Sequence, residues 1–582
     1  MQTVAVAEVL AAEGLGPPAL NVLVPNEQNY RVLLMQPQGD IEISGAGVRN
    51  RDQASAAAQF GAFLRDARET DADLVVTPEY SMPWSTLTAA LQAAIIPSHG
   101  KLWAIGCESI RYNELQQLKQ DFAPVATVIF ETLPVQQDRF LDPLAYIFLA
   151  PPADGNGAAR LVMLVQFKTF PMADNNHFET NGMQRGTRIY RFGVAGQSIS
   201  LVALICSDAL DFHDADAATI YDRALIVHIQ MNPSPRHDRF RQYRDKLLGL
   251  QGDTTEILCL NWAKGVRVLL NGQTQQWQDI SGSAWYLKPQ AFDDRDQTLV
   301  ANHRRGLYYT WLDPLYSHAL FFNFEPATFL LTVSKVAHIN VLGVVSRRRG
   351  PQLTRLCGWD AATTLWAERM TAEDGFAAIA GEGGNASNQI RTISERNPFE
   401  AERVLALCSG KIDHVEAWHG VRKLDSCSIS KTEIIRRLTF CQDTHQEAAD
   451  FRLERLRRCG DLWDILTTEA NLPPSLGDFP QGFTLGWTDQ FPHQNATSSA
   501  GRRATVIYMG EGYNLERVRQ IKKRAAIFLQ RSVNDPDDSI AARQRLAVWF
   551  RDGGVLKLCD PHEYVQIDRT GAASEFDISR DQ

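Results

Sequence analysis

Short, almost wholly apolar runs, separated by stretches of helical spacing, constrain this chain more than any other feature. Val32, Leu33, Leu34 and Met35 form the first run, inside NYRVLLMQPQ. From Asp52 to Thr70 the apolar positions Ala56, Phe60, Phe63, Leu64 and Ala67 then recur at the period of a helix. Asp71, Ala72 and Asp73 turn the chain into a strand at 74–77, which ends on Pro78 and Glu79. A helix over 85–95, capped by Ser85, and a strand at LWAIGC (102–107) follow. Strands alternating with helices predict an α/β architecture.

The same reading runs on to about residue 345. RYNELQQLKQD is a polar helix candidate and PVATVIFETL a strand, an elaboration of the basic alternation. Residues 145–150 and 160–167 flank a Pro-Pro-x-Asp-Gly turn and read as a hairpin. Further strands are expected at 198–205, 224–231 and 256–260, with an amphipathic helix at 239–250 between the last two. SRRRGPQ (346–352) then breaks the pattern with charge, glycine and proline. The expected organisation is a lead-in at 1–28, an α/β domain at 29–345 and an irregular linker at 346–396. A helical region at 397–470, a loop-rich segment at 471–503 and a small α/β module at 504–582 follow, with helices expected at 515–531 and 540–551. A chain of 582 residues is too long for one ordinary core, so several domains are the natural expectation.

Composition bounds the function classes. With 44% hydrophobic and 22% charged residues the chain has the make-up of a soluble globular protein. No run approaches the roughly 20 apolar residues of a membrane helix. The opening MQTVAVAEVLAAEGLG has no basic region and carries Glu8, so it does not read as a secretory signal. Nine cysteines form no dense framework, and Cys107, Cys259 and Cys408 read as buried thiols of a reducing compartment. A cytoplasmic location is expected. The net charge of −9 gives no support for general nucleic-acid binding. The basic helix RQIKKR reads as a solvated face, and no GxxxxGK(S/T) phosphate loop is present.

Three of the strands deliver reactive side chains. LVVTPEY ends on Glu79, LVMLVQFKTFP carries Lys168, and SLVALICSDAL carries Cys206. Alone, each has an ordinary reading: a loop carboxylate, an edge-strand lysine, a buried thiol. Brought together they would form an acyl-transfer site, with a thiol nucleophile, a carboxylate that moves protons and an ammonium that meets developing negative charge. Such an ammonium is expected to lower the thiol pKa, and burial to raise that of the carboxyl. His177, His213, His228 and His237 lack metal-ligand spacing and read as structural or surface residues. A dyad of Cys206 with His213 or His228 stays open as an alternative.

VVTPEY, QFKTFP and LICSDALDF, in this order, resemble the carbon–nitrogen hydrolase (nitrilase) superfamily. HFETNGMQRG between the lysine and the cysteine, QMNPSP after it, and CLNWAKG support the resemblance, which covers about 29–345. It implies an αββα sandwich, followed here by a mainly helical or α+β C-terminal region. It also implies a Glu-Lys-Cys triad that cleaves nonpeptide C–N bonds of an amide or nitrile. Glu79 would be general base and acid, Lys168 the oxyanion stabiliser and Cys206 the nucleophile. Glu179, Ser207, Asn232 and Asn261 would contact the substrate. No metal or cofactor is implied. Assembly into homo-oligomers through the nitrilase-like domain is, with a possible protein partner for the C-terminal half. GEGGNAS lacks the S-G-G-x-D-S loop of an attached synthetase, and the spanning helices of membrane acyltransferases are absent. The competing expectation is a nitrilase-like scaffold in a multi-protein assembly, for instance one of bacterial defence or stress, motivated by the large unmatched C-terminal half.

Overall fold

A computed structural model describes residues 2–559 apart from 174–177, 194–198, 214, 216, 218–219, 221–222, 236–237, 250–253, 278–282, 289–296, 313–316, 338, 341–342, 345–349, 370–383, 411–445, 489, 492 and 533–535. His177 and His237, and parts of SRRRGPQ and GEGGNAS, lie outside the described residues. The chain divides into two compact units, Met1–Glu373 and Asp374–Gln582. Among the described residues no helix is long and apolar enough to cross a membrane.

The first unit is built on two large sheets. The nine-stranded sheet runs Leu365–Arg369, Gln352–Asp360, Ala327–Val333, Tyr30–Gln36, Leu74–Met82, Leu102–Cys107, Pro143–Ala150, Arg160–Phe167, Thr127–Phe130. The eight-stranded sheet runs Gln2–Ala5, Arg188–Phe192, Ser200–Ile205, Ala224–Ile229, Thr255–Leu260, Ala284–Leu287, Ser317–Phe322, Leu307–Leu312.

Why the strands are apolar on both faces follows from what covers them. Leu33, Met35, Val75, Trp103, Ile105, Ala145, Ile147, Met163 and Val165 share one core with Phe60, Phe63 and Leu64 of the helix Gln53–Thr70. The residues between them project to the other side. There Tyr146 and Phe148 each meet Phe192 edge-on, at 5.0 and 5.6 Å, and Gln166 Nε2 donates to the Ala203 carbonyl at 3.0 Å. One face of the sheet is thus sealed by a helix and the other by the second sheet. In the second sheet, parallel pairing of Ser200–Ile205, Ala224–Ile229 and Thr255–Leu260 gives three wholly buried strands, as expected of parallel strands covered on both faces.

The helix Gln53–Thr70 starts where Asp52 accepts from the Ser55 N–H at 2.9 Å and stops at Asp71, whose φ of 49° is left-handed. The 145–150 and 160–167 segments pair as the expected hairpin.

Three boundaries differ from the sequence reading. Gln2–Ala5, placed in a loose lead-in, pairs in parallel with Arg188–Phe192. The sheet also continues past the charged break at 346–352 instead of ending there. Arg355 of Gln352–Asp360 is matched by Asp66 at 2.6 Å, and Trp366 Nε1 donates to the Gln59 carbonyl at 3.1 Å, so helix Gln53–Thr70 covers these strands too. Finally, the helix expected at 540–551 divides into Pro536–Gln544 and the strand Leu546–Asp552, whose Val548 and Trp549 are buried in a sheet.

The second unit packs helices Asn385–Arg396, Pro398–Cys408, Gln446–Thr467, Leu515–Ser532 and Pro536–Gln544 around a five-stranded sheet. Its order is Phe483–Leu485, Ala496–Ser498, Arg503–Tyr508, Leu546–Asp552, Val555–Leu558. The loop-rich reading of 471–503 reflects short strands set among turns. Arg503–Tyr508 and Leu546–Asp552 are parallel, which requires the helical crossover that lies between them in sequence.

Candidate active site

Alternation along the strands brings the reactive groups together. Lys168 follows Arg160–Phe167 with the parity of Gln166, and Gln166 faces the eight-stranded sheet, so Lys168 turns the same way. Cys206 follows directly on Ser200–Ile205 in that sheet. Glu79 sits where Leu74–Met82 loses register with Leu102–Cys107, between Thr77 and Met82. Ser81 Oγ holds this bend by donating to the Pro78 and Gly106 carbonyls at 2.7 and 3.0 Å. Gly106 is required here, because a Cβ would lie 2.1 Å from the Pro78 oxygen.

Lys168 Nζ donates to Glu79 Oε1 at 2.7 Å and to Glu179 Oε1 at 2.8 Å, with Asp142 Oδ2 at 3.5 Å. All four residues are buried. The second Glu79 oxygen accepts from the Met231 N–H. Glu179 is fixed by Tyr80 OH at 3.0 Å and by the Met172 N–H at 2.6 Å. Burial opposes the charge on Lys168, but Glu179, Glu79 and the other acidic neighbours hold its pKa well above that of an ordinary lysine. It is a permanent ammonium. Burial raises the Glu79 pKa, with Lys168 pulling it down and Glu179 pushing it up. Asp142 is held well above the usual carboxylate range by burial and then by the Glu79 charge, which favours its neutral form.

Cys206 shares this electrostatic neighbourhood. Its φ of 41° is left-handed, so the thiol-bearing residue sits on a sharp strand-to-helix turn. Two groups fix the turn. Asp208 accepts from the N–H groups of Thr169, Phe170 and Ile205 at 2.7, 2.9 and 3.1 Å, tying the cysteine turn to the segment after Lys168. His228 Nε2 bonds the Cys206 carbonyl at 2.9 Å while Nδ1 meets Tyr243 OH at 2.5 Å.

One electrostatic expectation is overturned. The thiol pKa is raised well above its ordinary value, by burial first and then by Glu79, and the opposing pull of Lys168 does not restore it. The Glu179 charge adds to that of Glu79 in offsetting the ammonium. Cys206 therefore rests as a thiol, and a nucleophilic role would require a base within the site. The histidine dyad finds no support: His228 is engaged with the cysteine backbone, and burial lowers its pKa to about 3. His213 is exposed and lies 3.6 Å from Asp211.

The other expected contacts separate by kind. Ser207 Oγ donates to the Phe170 carbonyl at 2.6 Å, so its hydroxyl serves the turn. Asn261 clamps two strand ends, accepting from the Asn232 N–H at 3.1 Å and donating to the Asn232 carbonyl at 2.9 Å. Asn232 Nδ2 is buried without a partner among the described residues. The sequence reading does not single out Asp142, Tyr80 or Asp208, and it raises His228 only as a dyad partner of Cys206. The available signal was a carboxylate in LDPLAYIFLA, immediately before an apolar strand.

Glu79, Asp142 and Glu179 each offer an oxygen within 4.8 Å of the others, as a cation site would. Lys168 already binds two of them at 2.7 and 2.8 Å, so an ammonium does a cation's electrostatic work. The geometry suits acyl transfer by a thiol beside a buried base and a fixed positive charge.

No protein-family model matches the sequence, and no curated protein does. Solved structures do. Glutamine-dependent NAD+ synthetase from Acinetobacter baumannii matches at 14% identity over 65% of this chain, with a TM-score of 0.30. The chain spans only 56% of that protein's length. An amidase from Nesterenkonia sp. matches at 12% identity over 53% of this chain and 92% of its own, TM-score 0.30. XC1258 from Xanthomonas campestris, a CN-hydrolase superfamily protein, matches at 14% identity over 44% and 82%, TM-score 0.26. The last carries the superfamily name that the sequence motifs suggest. Likenesses this distant assign no role to any residue of the chain.

Proposed function

We propose that the first unit is a thiol-dependent hydrolase of nonpeptide C–N bonds in a small amide or nitrile, built as an αββα sandwich. The observation that carries the reading is the buried Lys168 ammonium, bonded to Glu79 at 2.7 Å and Glu179 at 2.8 Å beside the left-handed Cys206 turn. Burying this many ionisable groups is costly, and a fold that needed only packing would be served as well by apolar residues.

For an amide, Glu79 takes the Cys206 proton as sulfur attacks the carbonyl carbon. The oxyanion forms against Lys168 and the backbone N–H that follows Cys206. Glu79 returns the proton to the departing amine as the C–N bond breaks, leaving a thioester. Water, deprotonated by Glu79, then attacks the thioester carbon, and as the C–S bond breaks Glu79 returns the proton to the Cys206 sulfur and the acid is released. Because the thiol rests protonated, nucleophile formation and attack are coupled through Glu79. Asn232 Nδ2 supplies a spare donor for substrate. Glu179 and Asn261 act by positioning, as their bonds to Lys168 and Asn232 indicate.

The test is ammonia release over a panel of small amides and nitriles. Turnover with at least one is expected, falling about 10⁴-fold or more in Cys206→Ala. No turnover, together with iodoacetamide labelling of Cys206 no faster than of other cysteines, would favour the scaffold role.

A further inference from the structure

The second unit holds a cleft of about 740 Å³, within the size range of small-molecule sites. Its walls include Trp463, Phe483 and Trp487, with the Gln494 carboxamide and Arg503 among the polar groups. Trp463 and Phe483 meet with centroids 4.3 Å apart, and Trp487 is backed by the Arg403 guanidinium at 4.2 Å. These rings are held in place.

Arg503 is the unusual member. Its guanidinium lies 3.5 Å from the Phe491 ring centroid, and its Nη1 is buried without a hydrogen-bond partner among the described residues. Neighbouring arginines are matched: Arg545 and Arg502 by Asp478 at 3.0 and 3.1 Å, and Arg396 by Glu400 at 2.5 Å. Glu400, which lines the cleft, is therefore already neutralised, and it also accepts from the Trp487 N–H at 3.4 Å. Burial holds the Arg503 pKa below its ordinary value, as expected for a cation lacking compensation. An unpaired buried donor is costly, and a guanidinium fork stacked on a ring is pre-organised for a planar oxyanion.

We propose that this cleft binds a small molecule that joins a planar ring to an oxyanion, carboxylate or phosphate. The oxyanion meets Arg503, and the ring packs among Trp463, Phe483 and Trp487. The proposal does not depend on the acyl-transfer reading of the first unit.

Titration calorimetry of the full chain with adenosine 5′-monophosphate, benzoate and inorganic phosphate tests it. Saturable binding of at least one ringed probe is expected, with inorganic phosphate at least tenfold weaker. The stronger ringed probe identifies the oxyanion as phosphate or carboxylate. Arg503→Ala should weaken that probe at least tenfold, and Cys206→Ala should leave it unchanged. If Arg503→Ala fails to fold, Thr497→Trp, which narrows the cleft from the opposite chemistry, should block the same probe. No binding by any probe, equal affinity for inorganic phosphate, loss of binding in Cys206→Ala, or undiminished binding in the cleft variants overturns the proposal.

Discussion

The two units handle buried charge in opposite ways. Around Lys168, acidic side chains outnumber the cation, and the surplus is absorbed by protonation and by bonds from Tyr80, Met172 and Met231. Around Arg503 the cation stands over a ring, with no carboxylate paired to it among the described residues. The first arrangement is complete before anything binds and is suited to moving protons. The second is incomplete, and its missing member is an anion. A dense charge cluster is therefore evidence of chemistry, whereas an unmatched charge is evidence of a ligand.

Substitution tests that contrast, beginning where the effect is greatest. Lys168→Met should cost about 3–5 kcal/mol, since it leaves Glu79 and Glu179 buried without their cation. The Glu79 carboxyl, raised already by burial, would lose the downward pull of Lys168, so its folded pKa would lie further above its unfolded one. Its contribution is full below the unfolded pKa and is lost as pH rises through the folded pKa, so denaturant titration should show the variant's deficit growing from acid toward neutral pH.

His228 should produce the next effect. Its folded pKa of about 3 lies below the unfolded value of 6.5, so the unfolded chain binds a proton that the folded chain refuses. Stability should fall as pH drops from 6.5 toward 3, by about 1.4 kcal/mol per unit. Thermal melts across that window should show this slope reduced in His228→Asn. An unchanged slope would mean the imidazole accepts a proton in place.

Asp142→Asn should be milder, within about 1 kcal/mol, because a carboxyl whose neutral form is favoured is replaced by an amide of similar shape. The apparent thiol pKa of Cys206, read from the pH dependence of its alkylation by mass spectrometry, should fall only slightly, since Asp142 is the smallest of the groups that raise it. A clear drop in the apparent thiol pKa would show that Asp142 is ionised. Arg503→Ala should change stability least, by about 0.5 kcal/mol or less, since no ion pair among the described residues is broken. A loss as large as that of Lys168→Met would erase the distinction between the two sites.

Much of the first unit was legible because its strands are covered on both faces. Their runs are unbroken, so Glu79, Lys168 and Cys206 stand out where the runs stop. Asp142 precedes its strand and reads as a turn residue, and only the tertiary approach of Lys168 gives it a role. The raised thiol pKa was hidden for the same reason, since sequence shows one ammonium but not how many carboxyls surround it. The extent of the sheet was obscured by SRRRGPQ, whose charge implied a boundary, while Asp66 and Gln59 bind the strands beyond it. In the second unit, the stretch at 540–551 satisfies a helical period, yet parallel pairing with Arg503–Tyr508 claims Leu546–Asp552 for the sheet.

The contact between Gly106 and the Pro78 oxygen has a consequence for how such a protein changes over time. The aim of the glutamate is set from the neighbouring strand, through a gap that admits a hydrogen and nothing larger. A single added methyl at position 106 would swing that carboxylate off line while every reactive group stayed in the sequence. A descendant could thus fall silent with its full complement of acid, base and thiol still on display.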